Sequence, residues 1–262
     1  MLRYPFWGLV LALAIPMGCG GGGTTTPGTT GDLLDASTSE RAAQAAGEVA
    51  AVESASSTGG FEPLIAEAQE GFNLGDWDAC QQLVGNFREG GTLTFADCPS
   101  AQGVVSGTIT WSGVSAGADE DTTISSTTID LTYDSSQYAP VQVVGSALWT
   151  RTFTPGAGVI TREADNTITS GSFRLEVVSD LTWTREKRGA TATNNFGPLG
   201  RLNSTWPVGT ATAEFYRDDV LVRTALVEFD GTNVVVITVG EDVYTFELDG
   251  HGARPHLFRP GL

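Results

Sequence analysis

From Thr92 onward apolar and polar residues alternate along the chain. Ile109 and Trp111 are interleaved with threonines, and so are Ile129, Leu131 and Tyr133, while Phe173, Leu175, Val177, Leu181 and Trp183 share one parity opposite Arg174, Glu176, Asp180 and Thr182. A period of two sends successive side chains to opposite faces, so each run predicts a strand with one buried and one wet face. Asp218-Asp219, Asp230-Gly231 and Gly240-Glu241 fall between such runs as hairpin turns do. Roughly eight to eleven strands with no helical period between them predict a mainly β fold, an antiparallel meander. So long a meander must close or roll into a barrel-like sheet, because an open edge invites aggregation. A barrel in a membrane would need an apolar outer belt with aromatic girdles, whereas these strands offer one apolar face, enough for a soluble core.

Ahead of the strands the period lengthens. Ser37 followed by Glu40 has the form of a capping box, and the Ala-rich stretch from Glu40 to about Ser56 has strong helix propensity. Its apolar stripe is alanine with Val49 and Val52, thin enough to predict a loosely packed helix or a spacer. A second short helix is expected after Pro63, and a third from a cap at Asp76 through Trp77, Cys80, Val84 and Phe87. Gly90-Gly91 then turns the chain into a strand over Thr92 to Asp97, which would bring Cys98 back near Cys80.

The first residues carry a different signal. Arg3 precedes an apolar run from Phe6 to Ile15, which ends at Pro16-Met17-Gly18-Cys19 and four glycines. This arrangement resembles the signal peptide of a bacterial lipoprotein. Gly18 fills the small position before cleavage, while Pro16 and Met17 depart from the family's pattern. The resemblance implies that Cys19 becomes the mature amino terminus and carries acyl chains such as palmitate. An ordinary secretory signal cut nearby is the alternative. About ten apolar residues do not span a hydrocarbon core roughly 30 Å thick. The organisation expected is a leader over 1–18, a Gly/Thr tether over 19–36, a helical section over 37–90, a β domain over 91–250 and an irregular tail over 251–262. Gly20 to Gly31 is almost only Gly, Thr and Pro, a flexible coil reaching on the order of 20 Å.

With Cys19 assigned to the anchor, Cys80 and Cys98 remain as a pair, and an oxidising envelope would join them as a disulfide. Two cysteines without a nearby histidine are too few ligands for zinc. The charge is one-sided, 31 acidic residues against 14 basic, a net −17. Such a surface excludes nucleic acid as a partner and is repelled by anionic headgroups, so acyl chains rather than electrostatics would hold the protein at a membrane. Gly20 stands where some lipoproteins carry an inner-membrane retention aspartate, which favours the outer membrane.

Candidate chemistry is sparse. Gly113-Val114-Ser115-Ala116-Gly117 has the letters of a hydrolase nucleophile elbow, but that motif needs a helix directly afterwards and the sequence here turns β-like from Thr122. His251 and His256 lie among glycines and prolines in the tail, a poor support for a catalytic base. Asp119-Glu120-Asp121 and Asp76-x-Asp78 lack the ligand spacing of a calcium loop and read as solvated turns. Trp183 shares the buried parity, whereas Trp206, beside Pro207, is the tryptophan expected to be most exposed and the candidate binding aromatic. No catalytic, cofactor or metal residue is assigned. The expected role is a lipid-anchored envelope protein, non-enzymatic, that binds or scaffolds an envelope protein, glycan or lipid. A lipocalin-like barrel around an apolar small molecule is the alternative, and a serine hydrolase built on Ser115 ranks behind both.

Overall fold

The computed structural model describes residues 36–55, 80–86, 89–99, 103–112, 115–116, 122–135, 139–154, 157–186, 206–248 and 257–258. Among the described residues one helix, α1 (Ser39–Ala55), precedes thirteen strands. These are β1 (Gln81–Asn86), β2 (Gly90–Pro99), β3 (Gly103–Ser112), β4 (Ser115–Ala116), β5 (Thr122–Ser135), β6 (Val141–Thr154), β7 (Ala157–Ser170), β8 (Phe173–Glu186), β9 (Val208–Arg217), β10 (Val220–Asp230), β11 (Val234–Val239), β12 (Asp242–Glu247) and β13 (Leu257–Phe258). Every strand pairs antiparallel with its neighbour in sequence, except that β4 lies off the main path and β3 pairs β5 directly. The meander predicted from the alternation is therefore the fold.

The sheet is open. Among the described residues the path runs from β1 to β13 and those two ends do not pair, so the barrel-like expectation holds only as far as rolling. Parity decides the two faces, and the buried one joins Leu93 and Phe95 on β2 to Phe246 on β12 in a single core cluster. Gly107 and Gly209 adopt φ of 125° and 140°, and a Cβ at either would collide with the backbone carbonyl of the facing strand. Strands approach too closely there for a side chain, which is how a glycine lets a sheet bend. The three predicted turns all form. Asp218 and Asp219 both take positive φ, 51° and 61°, as a two-residue turn matched to strand twist demands.

The chain between Cys80 and Asn86 differs from expectation. Gln81–Asn86 is a strand rather than the last turns of a helix, pairing residue for residue with Gly90–Phe95, so β structure begins before the expected boundary at 91. The helical spacing of Cys80 and Val84 is overridden because β2 offers a full ladder, and Val84 ends 60% exposed. Asn86 closes the turn by accepting from the Glu89 amide at 3.0 Å. The predicted disulfide joins Cys80 to Cys98 across this hairpin, with Cα atoms 5.1 Å apart. Asp76, Trp77, Phe87 and the segment after Pro63 lie outside the described residues.

The helix begins as propensity predicts, with its cap one residue later. Thr38 Oγ1 accepts from the Arg41 amide at 3.2 Å, and the Thr38 carbonyl accepts from Ala42. Far from packing loosely, α1 buries Ala42, Ala43, Ala46, Val49 and Ala50 against β10 and β11, with β9, β12 and β13 alongside. A stripe of small residues lets the helix axis come close, and Gly47 shows the limit: any Cβ there would enter the Phe246 ring. What sequence makes look like a weak face is a close one.

Candidate functional site

The inner face is not uniformly apolar. On β7 the buried parity runs Ile160, Arg162, Ala164, Ile168, and on β6 it runs Val143, Trp149, Arg151, so two arginines occupy core positions. Arg162 pairs in register with Trp149 on one side and Leu181 on the other. Its guanidinium meets Glu53, in the last turn of α1, as a buried ion pair. Nη2 reaches Oε1 of Glu53 at 3.5 Å, Nη1 donates to Ser179 Oγ at 3.2 Å, and the Ser179 hydroxyl donates to Glu53 Oε2 at 2.6 Å. Burial pulls Arg162 down to about 10, which leaves it charged at neutral pH.

Aromatic rings frame this cluster. Trp149 on β6 and Trp183 on β8 stack with centroids 6.4 Å apart and planes inclined by 25°, and Arg162 and Arg151 each lie 5.5 Å from the centre of the Trp149 ring. Arg151 also donates to Ser125 Oγ at 2.8 Å. Two buried donors here have no partner among the described residues: Nε of Arg162 and Nε1 of Trp183. Trp183 pairs with Ile160, two residues along β7 from Arg162, so both unmet donors belong to one neighbourhood of the inner face. Buried polar atoms are nearly always satisfied, so these two stand out, as do Tyr133 Oη and Arg223 Nε elsewhere among the described residues.

Glu53 is where local chemistry and tertiary structure disagree. A carboxylate in the last turn opposes the helix dipole, and α1 carries no basic residue there to offset it. Arg162 and Ser179 supply what the helix lacks. Glu48, one turn earlier, is half-buried, and desolvation pushes its carboxyl up to about 7 against a lowering hydrogen bond from Gln44. Because the folded state then holds this proton more tightly than the unfolded chain, stability from this group is full below about pH 4.5 and falls as pH rises toward 7. Glu48→Gln removes that dependence. Its stability advantage over the parent should grow by about 1–3 kcal/mol across that window and then level off, read from urea melts at a series of pH values; an advantage that stays constant with pH would show that Glu48 is not desolvated.

The outward face has opposite character. Glu163 stands directly across from Asp180, and Glu176 across from Glu214, like charges on paired strands. Arg174 relieves the second pair through Glu176 at 3.1 Å and stacks 4.2 Å from the Tyr216 ring centre. Tyr216 donates to Glu214 at 2.6 Å, and that bond pushes its phenol up to about 12.

The residues singled out from sequence are distributed as follows. Ser115 falls in β4 opposite Ile124 of β5, a strand pairing rather than the strand-to-helix elbow a hydrolase requires. Trp206, expected to be the most exposed tryptophan, is half-buried against the core, whereas Trp111, Trp149 and Trp183 are buried. Cys19, His251, His256, Asp119, Glu120 and Asp121 lie outside the described residues. The Glu53–Arg162–Ser179 cluster escaped sequence reading, although its signal was present as arginines on an apolar parity and a carboxylate at the wrong end of a helix. Among the described residues no group of three or more His, Cys, Asp or Glu is placed to hold a metal, and no helix is long and apolar enough to cross a membrane. The class so defined is an open, rolled antiparallel sheet carrying a helix and an ionic cluster on its inner face. No family model, curated protein or solved structure matches the chain.

Proposed function

We propose that this chain is a lipid-anchored protein of the bacterial envelope, non-enzymatic, whose sheet domain binds an apolar or amphiphilic molecule on its inner face. Cys19 carries the anchor, Gly20 to Gly31 form the tether, and the outer membrane is the preferred site. One observation carries the binding reading: an aromatic-walled patch between Trp149 and Trp183 holds two buried donors that nothing among the described residues satisfies. Binding sites combine an apolar lining with a few convergent polar groups of this kind. The sheet's open edges leave the inner face covered by a helix where a closed barrel would have strands.

The test is native mass spectrometry of protein purified from its own host. A mass excess beyond the acylated polypeptide, lost on organic extraction, is the expected result, and a domain that is empty in every preparation removes the binding reading. Intact mass after the same extraction reports the anchor separately, since an uncleaved, unacylated start would withdraw the envelope placement.

A further inference from the structure

Resting on the binding reading above, we infer that Glu53 of α1 is an internal stand-in for the anionic headgroup of an amphiphile, and that Arg162 with Ser179 is the headgroup site. Three features converge. The cluster is buried and cationic at its centre: Arg162 is 7% exposed and Ser179 2%. Its only carboxylate in the described contacts comes from a separate element, 109 residues earlier in the chain. Arg162 still has an unused Nε, and Trp183 an unused Nε1, so a carboxylate contributed by the helix does not exhaust what the site can donate. A tetrahedral or planar oxyanion, free to sit deeper than a side chain tethered to α1, would reach donors that Glu53 does not.

The exchange conserves charge. Removing one member of a buried ion pair is expensive when the other is left alone in low dielectric. An incoming headgroup keeps Arg162 paired while Glu53 returns its charge to water. The apolar tail would then take the place of the helix face formed by Ala42, Ala46, Val49 and Ala50, against the buried Val227, Ile237 and Phe246. The helix is thus a displaceable plug whose ionic hold on the sheet lies in its last turn.

The probes are dodecanoate, dodecanol and dodecyltrimethylammonium, each below its micelle concentration, added to the full chain with its disulfide intact. Binding is followed by calorimetry, and hydrogen exchange is followed over the amides of 39–55. Dodecanoate should bind at least about tenfold more tightly than dodecanol, and the cationic probe more weakly than either. Saturation with dodecanoate should raise exchange throughout 39–55 without raising it in β7 or β8. Glu53→Gln should strengthen dodecanoate binding, since it weakens the internal competitor. Arg162→Met paired with Glu53→Leu keeps the interior apolar and folded, and should abolish the preference for dodecanoate over dodecanol. Equal binding of dodecanoate and dodecanol, or a preference that survives in the double variant, would overturn the headgroup site while leaving apolar binding intact. Unchanged protection of 39–55 at saturation would overturn displacement. Failure of all three probes to bind would instead remove the binding reading itself.

Discussion

Arg162→Met should cost the folded state about 3–5 kcal/mol, although methionine nearly matches the arginine stem in length. The loss arises from what is left behind. Glu53 and the Ser179 hydroxyl remain buried, with a charge that no longer has a counterion and a hydroxyl left with one partner fewer. Glu53→Leu in the same background removes that stranded charge, so the double variant should recover most of the loss, and a double-mutant cycle should return a coupling of several kcal/mol. Urea melts followed by tryptophan fluorescence are suited to the measurement, because Trp149 and Trp183 flank the cluster. A single substitution costing under about 1 kcal/mol would mean that water reaches the pair, as at an ordinary surface ion pair.

Loss of the disulfide is the second large effect. Cys80 and Cys98 are separated by 18 positions, and opening a loop of that size should lower stability by about 3 kcal/mol on chain-entropy grounds. The bond ties β1, the edge strand of the sheet, to β2 beyond the register shift between Phe95 and Cys98. Edge strands have a partner on one side only, so reduction should deprotect the amides of 81–86 before those of β7 or β8. Cys80→Ser, Cys98→Ser and the double variant should be equally destabilised, and dithiothreitol should bring the parent to the same value. A reduced protein as stable as the oxidised one, with unchanged exchange in β1, would show that the hairpin holds by its ladder and the Leu83 packing alone.

These effects bear on how the proposed function would operate. The disulfide fixes the far edge of the sheet, whereas the ion pair holds the one described helix to the inner face through residues of β7 and β8. A protein that takes up a ligand under its helix needs the first to be permanent and the second to be exchangeable. The strongly acidic outer surface would keep such a domain away from anionic headgroups, leaving its approach to a membrane to the tether.

Much of the fold was legible along the chain, and the reason is physical range. Strand parity in Phe173 to Trp183, the turns at Asp218-Asp219 and Asp230-Gly231, and the helix over α1 depend on sterics and turn chemistry within a few residues. Those readings stand in the structure. The helix expected through Cys80 and Val84 went astray because the same apolar spacing suits a hairpin once β2 is available as a partner.

The candidate site depends on longer distances. Arginines at the buried parity of β6 and β7 were written in the sequence as anomalies, as was Glu53 at the negative end of its helix. That these anomalies cancel one another was decided only when the sheet rolled and carried β7 and β8 beneath the last turn of α1. Short-range pattern determined that there would be an antiparallel sheet, where it would turn and which cysteines could meet, because each of those is set by neighbours in the chain. Tertiary structure decided that the sheet stays open, that an alanine helix lies tightly against it, and that a carboxylate and a guanidinium 109 residues apart share one buried charge pair; the desolvation cost that makes this pairing compulsory exists only once both groups have been withdrawn from water.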